Sequence, residues 1–189
     1  MKKTYVLDTN VLIQAPYAVE CFEENTVVLP MTVLEELDNM KKEEGEKGAN
    51  VRKVIRILDA HREKGNLLEG VRMEWGGILR VEKNYRNVEL PPDLPEHKSD
   101  NRILKVCVGL SNDLKEQVIL VTKDILLRIK AQLLGIQAED FGTEQVAVHE
   151  EQYLGRREVF VPEELFKDFK KKGVPVECVY CCDMSGNHT

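Results

Sequence analysis

Four acidic residues stand where a predicted strand ends or a predicted helix begins. Asp8 follows the apolar run Tyr5–Leu7, and Asp124 follows the clearest strand pattern in the chain. Glu36 and Asp100 fall in the first turns of two predicted helices. If the strands are parallel, all four carboxylates lie at the edge of the sheet where ligands bind in open α/β folds. Crowded carboxylates raise each other's pKa unless a cation neutralises them, and their hard oxygen atoms suit Mg²⁺ or Mn²⁺.

The chemistry that such a group supports is metal-assisted hydrolysis of a phosphodiester bond. A divalent cation lowers the pKa of water and stabilises the charge that develops on a phosphate in transfer. Taken singly, each acid is more typical of a helix cap than of a ligand. Their shared placement favours a metal site, and it predicts hydrolysis without a protein nucleophile.

Strand patterns alternate with helix patterns along the part of the chain that carries these acids. The predicted strands are residues 5–7, 26–29, 78–82 and 117–122, with 78–82 as an edge strand and a further short apolar segment at 136–138. The predicted helices are residues 17–24, 32–42, 49–64, 125–134 and a stretch that begins at 99 or 100. This alternation predicts an α/β fold with a mainly parallel sheet and helices on both faces.

Local signals indicate where several of these elements begin and end. Thr32 with Glu35 fits a capping box, and Ser99 or Asp100 can cap the later helix. Gly135 is typical of a helix stop. The charged residues 41–48, with two glycines, predict an exposed loop, and the proline-rich residues 90–95 predict an extended one.

The overall charge limits how a nucleic acid could be held. The formal net charge is −6, which does not favour a wide basic surface for phosphate contacts. A nucleic-acid substrate would meet metal ions or a local basic patch, for which Lys98, Arg102 and Arg128 are the candidates because they adjoin the acids. No apolar run reaches the length of a membrane span and no signal peptide is recognisable, so we predict a cytoplasmic protein without membrane contact.

Four ordered motifs resemble the signature segments of the PIN domain family, over about residues 1–141. They are Leu7–Leu12, Val33–Asp38, Ser99–Leu104 and Val121–Asp124. The resemblance implies a three-layer α/β/α fold and a ribonuclease that acts on single-stranded RNA with Mg²⁺ or Mn²⁺. By the family pattern, the catalytic and metal-binding positions are Asp8, Glu36, Asp100 and Asp124. Glu36 is preferred to Glu35 because it directly precedes a leucine.

The same resemblance assigns supporting residues and a setting. Asn10 and Thr122 take positions of polar support, and Asp140 is either an outer member of the site or a loop cap. The motifs are similar to those of the PIN domain that precedes PhoH-like ATPases, which makes residues 142–189 an appendage or the start of a connection to an ATPase domain. The sequence contains no Gly-x-x-x-x-Gly-Lys-Ser/Thr loop, so the ATPase domain is expected outside this chain.

Two other functions are compatible with the same motifs. One is a non-catalytic RNA-binding or scaffolding module that keeps the fold, and the other is a VapC-like toxin with the same chemistry. Homo-oligomers are known among such domains, but no residue pattern fixes an interface. Cys178, Cys181 and Cys182 supply half of a zinc-site spacing without a second pair, which is more typical of exposed thiols near a chain end than of a zinc site.

Overall fold

The computed structural model of the protein describes residues 2–85 and 87–142, which form alternating strands and helices. The strands are β1 (Lys3–Leu7), β2 (Thr26–Pro30), β3 (Val71–Arg72), β4 (Ile78–Glu82), β5 (Gln117–Val121) and β6 (Gln137–Glu139). The helices are α1 (Thr9–Gln14), α2 (Met31–Met40), α3 (Gly45–Lys64), α4 (Ser99–Asp113) and α5 (Ile125–Leu133). A short 3₁₀ helix covers Ala18–Glu20.

The strands form one sheet in the order β3-β4-β2-β1-β5-β6. All neighbours pair in parallel except β3 and β4, which are antiparallel. Val6 of β1 lies opposite Val28 of β2 and Leu120 of β5. The predicted α/β class and the three-layer α/β/α arrangement are confirmed, and the carboxyl ends of β1, β2, β4 and β5 meet at one edge of the sheet.

The two central strands β1 and β2 are apolar and almost fully buried, as expected for parallel strands covered by helices on both faces. Tyr5 packs on Phe22 with ring centroids 4.7 Å apart, and Phe22 packs on Phe141 at 6.0 Å. The residue two positions after β6 therefore belongs to the same core as β1. This core fixes the ends of the strands from which the acidic side chains project.

Two predicted helix caps are wrong. Helix α2 begins at Met31, with Pro30 in the cap position, so Thr32 lies inside the first turn and does not form a capping box. The Thr32 hydroxyl is buried without a hydrogen-bond partner among the described residues. Helix α4 begins at Ser99, with Lys98 in the cap position and no side-chain cap. Ser99 and Asp100 therefore lie inside the helix and do not cap it.

The predicted exposed loop 41–48 is confirmed only for residues 41–44, because α3 already begins at Gly45. Gly48 lies in its first turns, where a Cβ atom would come within 1.8 Å of the Glu43 carbonyl oxygen. This glycine therefore marks a close backbone approach rather than a loop. The strand 78–82, predicted at the edge of the sheet, is an inner strand, since β3 pairs with its outer side. The predicted helix 17–24 is shorter, because only Ala18–Glu20 form a 3₁₀ helix.

The end of α5 agrees with the sequence pattern. Gly135 follows α5 with a φ of 71°, which confirms it as the helix stop. No helix in the described part of the chain is long and apolar enough to cross a membrane. The predicted appendage and its three cysteines, Cys178, Cys181 and Cys182, lie outside the described residues.

Candidate active site

A cleft of about 290 Å³ opens at the carboxyl edge of the sheet, where β1 ends. Three of the four predicted acids line it: Asp8, Glu36 and Asp100. The rest of its lining is Thr9, Asn10, Ile13, Asn39, Met40 and Lys47. The structure thus brings together side chains from the end of β1, from α2, from α4 and from the start of α3.

Asp8 is the most buried acid of the cleft, with 4% of the residue exposed. Its backbone N–H donates to the Val121 carbonyl at 3.0 Å, which continues the pairing of β1 with β5. The Thr122 hydroxyl donates to Asp8 Oδ2 at 2.7 Å. Burial raises the pKa of Asp8, the hydrogen bonds from Thr122 and the Thr9 backbone oppose that rise, and the charges of Glu36 and Asp100 add to it.

Glu36 faces the cleft because α2 begins directly after β2. Its carboxylate accepts a hydrogen bond from the Thr9 hydroxyl. This contact ties α2 to the first residue of α1 and places Glu36 beside the end of β1. The neighbouring Glu35 is turned away and pairs with Arg102, with Nη1 3.3 Å from Oε2.

Asp100 lies in the first turn of α4 and is held by a lysine that the sequence analysis missed. Lys130 Nζ of α5 lies 3.1 Å from Asp100 Oδ2. Residues 128 and 130 are about 200° apart around a helix, so they lie on different sides of α5. Sequence proximity to Asp124 favoured Arg128, but the rotation of the helix brings Lys130 to the acid.

Asp124 does not line the cleft and instead caps α5. Its Oδ1 accepts hydrogen bonds from the backbone N–H groups of Leu126 and Leu127, at 2.7 and 3.3 Å. Its own backbone N–H donates to the Thr122 hydroxyl at 3.0 Å. Thr122 therefore links Asp124 to Asp8, and it connects the two acids through one buried hydroxyl.

The other predicted site residues are spread over a wider area. Asn10 lines the cleft, and Asp140 is exposed after β6. Lys98 is exposed at the start of α4. Arg128 is one turn after Asp124, but it lines a different groove, between α5 and β6, and not the acidic cleft.

Asn39 and Lys47 are among the cleft residues that the sequence analysis missed. Asn39 is three residues after Glu36 on α2, and this helical spacing was a signal that could have identified it. Lys47 belongs to the segment that was predicted to be a loop, and its Nζ lies 3.2 Å from Glu43 Oε2. Lys47 reaches the cleft because α3 begins at Gly45, whereas the two glycines of this segment favoured a loop in the sequence analysis.

The donor atoms around the cleft fit a hard divalent cation. Carboxylates, side-chain amides and a hydroxyl supply oxygen ligands, and Asp8 makes no ion pair with any described residue. Among residues 2–85 and 87–142, however, no three acidic, histidine or cysteine side chains are grouped closely enough to hold one ion together. The Glu36 carboxylate accepts a hydrogen bond from Thr9, and Asp100 is paired with Lys130.

The chain is similar to known proteins over the part that carries this cleft. A family model described as "PIN domain" matches residues 5–142. Protein PhoH2 of Bacillus subtilis (strain 168) is 46% identical over 178 residues, which are 91% of this chain and 40% of that protein. Protein PhoH2 of Mycolicibacterium smegmatis is 39% identical over 149 residues, or 77% of this chain and 34% of that protein. The chain thus spans about two fifths or less of the length of these relatives.

A solved structure also resembles the fold. It is a domain of a functionally unknown protein from Methanocaldococcus jannaschii DSM 2661, with 24% sequence identity and a TM-score of 0.44. The match covers 74% of this chain and 91% of that one.

Proposed function

Because this chain belongs to the PIN domain family, we propose that it is a metal-dependent ribonuclease that hydrolyses phosphodiester bonds of single-stranded RNA. PIN domains are generally nucleases. The observation that carries the proposal is the cleft itself, in which the buried Asp8 stands beside Glu36 and Asp100 without a cationic partner among the described residues. A buried carboxylate in such surroundings is costly unless a cation is bound next to it.

The proposed metal ligands are Asp8, Glu36 and Asp100, with Asp124 as a more distant member. Mg²⁺ or Mn²⁺, when bound, would acidify water and stabilise negative charge on the phosphodiester. Thr122 orients Asp8 through its hydroxyl, and it holds Asp124 through the backbone of that residue. Thr9 fixes the carboxylate of Glu36 on the other side. These contacts position the acids before a substrate arrives.

The RNA backbone would be held by the few cations at the cleft. Lys47 lines it and Lys130 reaches Asp100, while Lys98 and Arg102 flank Asp100 on α4. The chain carries a formal net charge of −6, so binding depends on these local charges. Arg128 is the weakest of the candidates predicted from the sequence, because it lines the groove beside β6.

A non-catalytic RNA-binding module is the second candidate function. Asp124 uses Oδ1 for the helix cap, and no three potential ligands form a closed group in the described part of the chain. A protein that binds RNA without cutting it could keep this arrangement.

The proposed setting is that of a larger cytoplasmic protein. The PhoH2 relatives are more than twice as long as the matched part, and we infer that the nuclease works beside a PhoH-like ATPase domain. We propose that any homo-oligomer forms in the full-length protein, together with this ATPase domain.

The experiment that tests the proposed function is cleavage of an end-labelled single-stranded RNA with Mn²⁺, with Mg²⁺ and with EDTA, alongside the same RNA annealed to its complement. We expect cutting of the single strand with either metal and none in EDTA. Retention of the RNA in a gel-shift assay without cutting in any metal would favour the binding module instead.

A further inference from the structure

A second cavity lies at the same edge of the sheet, at the carboxyl end of β4. Its volume is about 610 Å³. Met31 and Glu35 of α2 form one side, and Lys83, Asn84 and Tyr85, which follow β4, form the other. No predicted catalytic residue lines this cavity, and the proposed hydrolysis does not use it.

Helix α2 separates this cavity from the acidic cleft. Met31 and Glu35 face the cavity, whereas Glu36, Asn39 and Met40 face the cleft. The strands β4, β2 and β1 are neighbours in the sheet, so the ends of β4 and β1 are two strand spacings, or about 10 Å, apart. A single-stranded polymer bound in the cleft could therefore continue over α2 into the cavity.

The two carboxylates that line the cavity, Glu35 and Glu82, are each paired with an arginine. Arg80 Nη2 lies 3.1 Å from Glu82 Oε2, and Arg102 Nη1 lies 3.3 Å from Glu35 Oε2. Among the described residues, the polar groups left for a ligand are the Asn84 and Asn87 amides, with Lys83 exposed beside them, because the Tyr85 phenol hydrogen-bonds to Asp113. Apart from Lys83, the described lining therefore offers neutral hydrogen-bonding groups, which suit the edge of a nucleobase.

Asn84 and Tyr85 give the cavity a polar group and an aromatic wall. Asn84 Oδ1 is buried and accepts no hydrogen bond from the described residues, and such an atom calls for a partner in a ligand or water. The Tyr85 ring lies against α4 at Gly109, where an added Cβ would come within 2.2 Å of ring carbons. This close contact fixes the ring as an aromatic wall. Burial, the nearby charge of Glu82 and a hydrogen bond to the Asp113 carboxylate raise the pKa of Tyr85 to about 12, so the phenol stays neutral and its hydroxyl is held by Asp113.

We propose that this cavity binds a nucleobase next to the cleaved phosphate, with Asn84 reading its edge and Tyr85 forming the wall of the pocket. Proteins recognise single-stranded RNA in this way, through splayed bases that contact aromatic side chains and hydrogen-bond along their edges. The inference rests on the proposed function and deepens it, because it makes this cavity the determinant of sequence preference.

The test compares the parent protein with Asn84→Ala on a pool of single-stranded RNAs randomised around one cleavage site, with Mn²⁺ present and the cut ends sequenced. Loss of a paired amide contact should reduce the base preference at one position by about tenfold, while RNAs with a disfavoured base are cut at the parent rate. Asn112→Ala, at an exposed position of α4, is the matched control and should keep the parent preference. Asn87→Ala replaces Asn84→Ala if circular dichroism shows that the latter is unfolded.

An unchanged cleavage pattern in a folded Asn84→Ala or Asn87→Ala protein would overturn the base pocket and leave the ribonuclease proposal standing. If the parent cuts no RNA, the ribonuclease proposal fails, and fluorescence anisotropy in EDTA with labelled homopolymer 10-mers decides the pocket separately. A preference among the four homopolymers that Asn84→Ala abolishes would support the pocket. Equal binding of all four by the parent would overturn it.

Discussion

Asp8 combines burial with like charges, and this makes its ionised form unfavourable in the folded protein. Burial raises its pKa from the ordinary 3.8, and Glu36 and Asp100 add to the rise. The folded state therefore binds the Asp8 proton more tightly than the unfolded state does. This contribution to stability is complete below about pH 4, and it is lost as the pH rises through the raised pKa.

Asp8→Asn should therefore stabilise the metal-free protein at pH 7. The substitution removes the buried charge while an amide oxygen can still accept the Thr122 hydrogen bond. Relief of about 1 kcal/mol would raise the Tm by about 2–4 °C for a chain of this size. We expect calorimetry in EDTA to show the gain at pH 7 and little of it near pH 4.

Saturating Mn²⁺ should reverse the order of the two proteins, because a bound cation makes the Asp8 charge favourable and stabilises only the parent. A parent protein that is already the more stable of the two in EDTA at pH 7 would contradict this explanation of the raised pKa.

Lys130 and Arg128 offer a direct comparison of two cations on one helix. Lys130→Gln removes the partner of Asp100, so it should tighten Mn²⁺ binding and weaken RNA binding. The slope of log Kd against log salt for single-stranded RNA should fall by about 0.7, which corresponds to one lost phosphate contact. Titration calorimetry with Mn²⁺ and anisotropy with labelled RNA in EDTA would measure the two effects.

Arg128→Gln is the matched variant, since Arg128 lies among Ile125, Ile129 and Ile136 in the groove beside β6. We expect it to leave Mn²⁺ binding unchanged and RNA binding within error of the parent. A larger loss of RNA affinity from Arg128→Gln than from Lys130→Gln would contradict this expectation and support the sequence-based prediction that Arg128 binds RNA.

At the scale of elements, strands were easier to predict than helix starts. Strands such as β2 and β5 are buried on both faces, and an uninterrupted apolar run identifies them. The starts of α2 and α3 depend on contacts that are distant in sequence or made by the backbone, such as the approach of Glu43 to Gly48. A glycine needed for close packing and a glycine needed in a loop look the same in one sequence.

The start of α3 yields a prediction about Gly48. Gly48→Ala would place a methyl group 1.8 Å from the Glu43 carbonyl oxygen, and the backbone would have to move. We expect a loss of about 1–3 kcal/mol in the free energy of unfolding, as for other overpacked sites, measured by urea denaturation. The movement would also displace Lys47 from the cleft, so RNA affinity should fall.

Ala49→Ser, at an exposed position one residue later, is the control and should change stability by less than about 0.7 kcal/mol. Equal stabilities of Gly48→Ala and Ala49→Ser would mean that the first turn of α3 adapts without cost.

At the scale of the whole molecule, the family motifs located the site but not its internal contacts. The order of strands and helices was enough to place Asp8, Glu36 and Asp100 at one sheet edge, and the structure puts them in one cleft. Asp124 caps α5 through its Oδ1, and the sequence motif does not distinguish a cap from a residue of the cleft. The contribution of Lys47 and Lys130 depends on how α3 and α5 pack, which no local pattern reveals.

The acidic balance of the chain gives these few cations their importance. With a formal net charge of −6, the protein has no broad electrostatic attraction for RNA. A cation bound in the cleft should therefore strengthen RNA binding, and RNA cleavage should depend on metal concentration in both binding and turnover.

The most direct test of the ribonuclease proposal is the Mn²⁺-dependent cleavage rate of labelled single-stranded RNA by Asp8→Asn and Asp100→Asn proteins. Asp93→Asn, at an exposed loop position, is the control. We expect both cleft variants to lose more than about 100-fold in rate, since even indirect partners of metal ligands cost 10–100-fold, while the control keeps the parent rate. Cleavage that persists in both cleft variants would contradict a carboxylate metal site in this cleft.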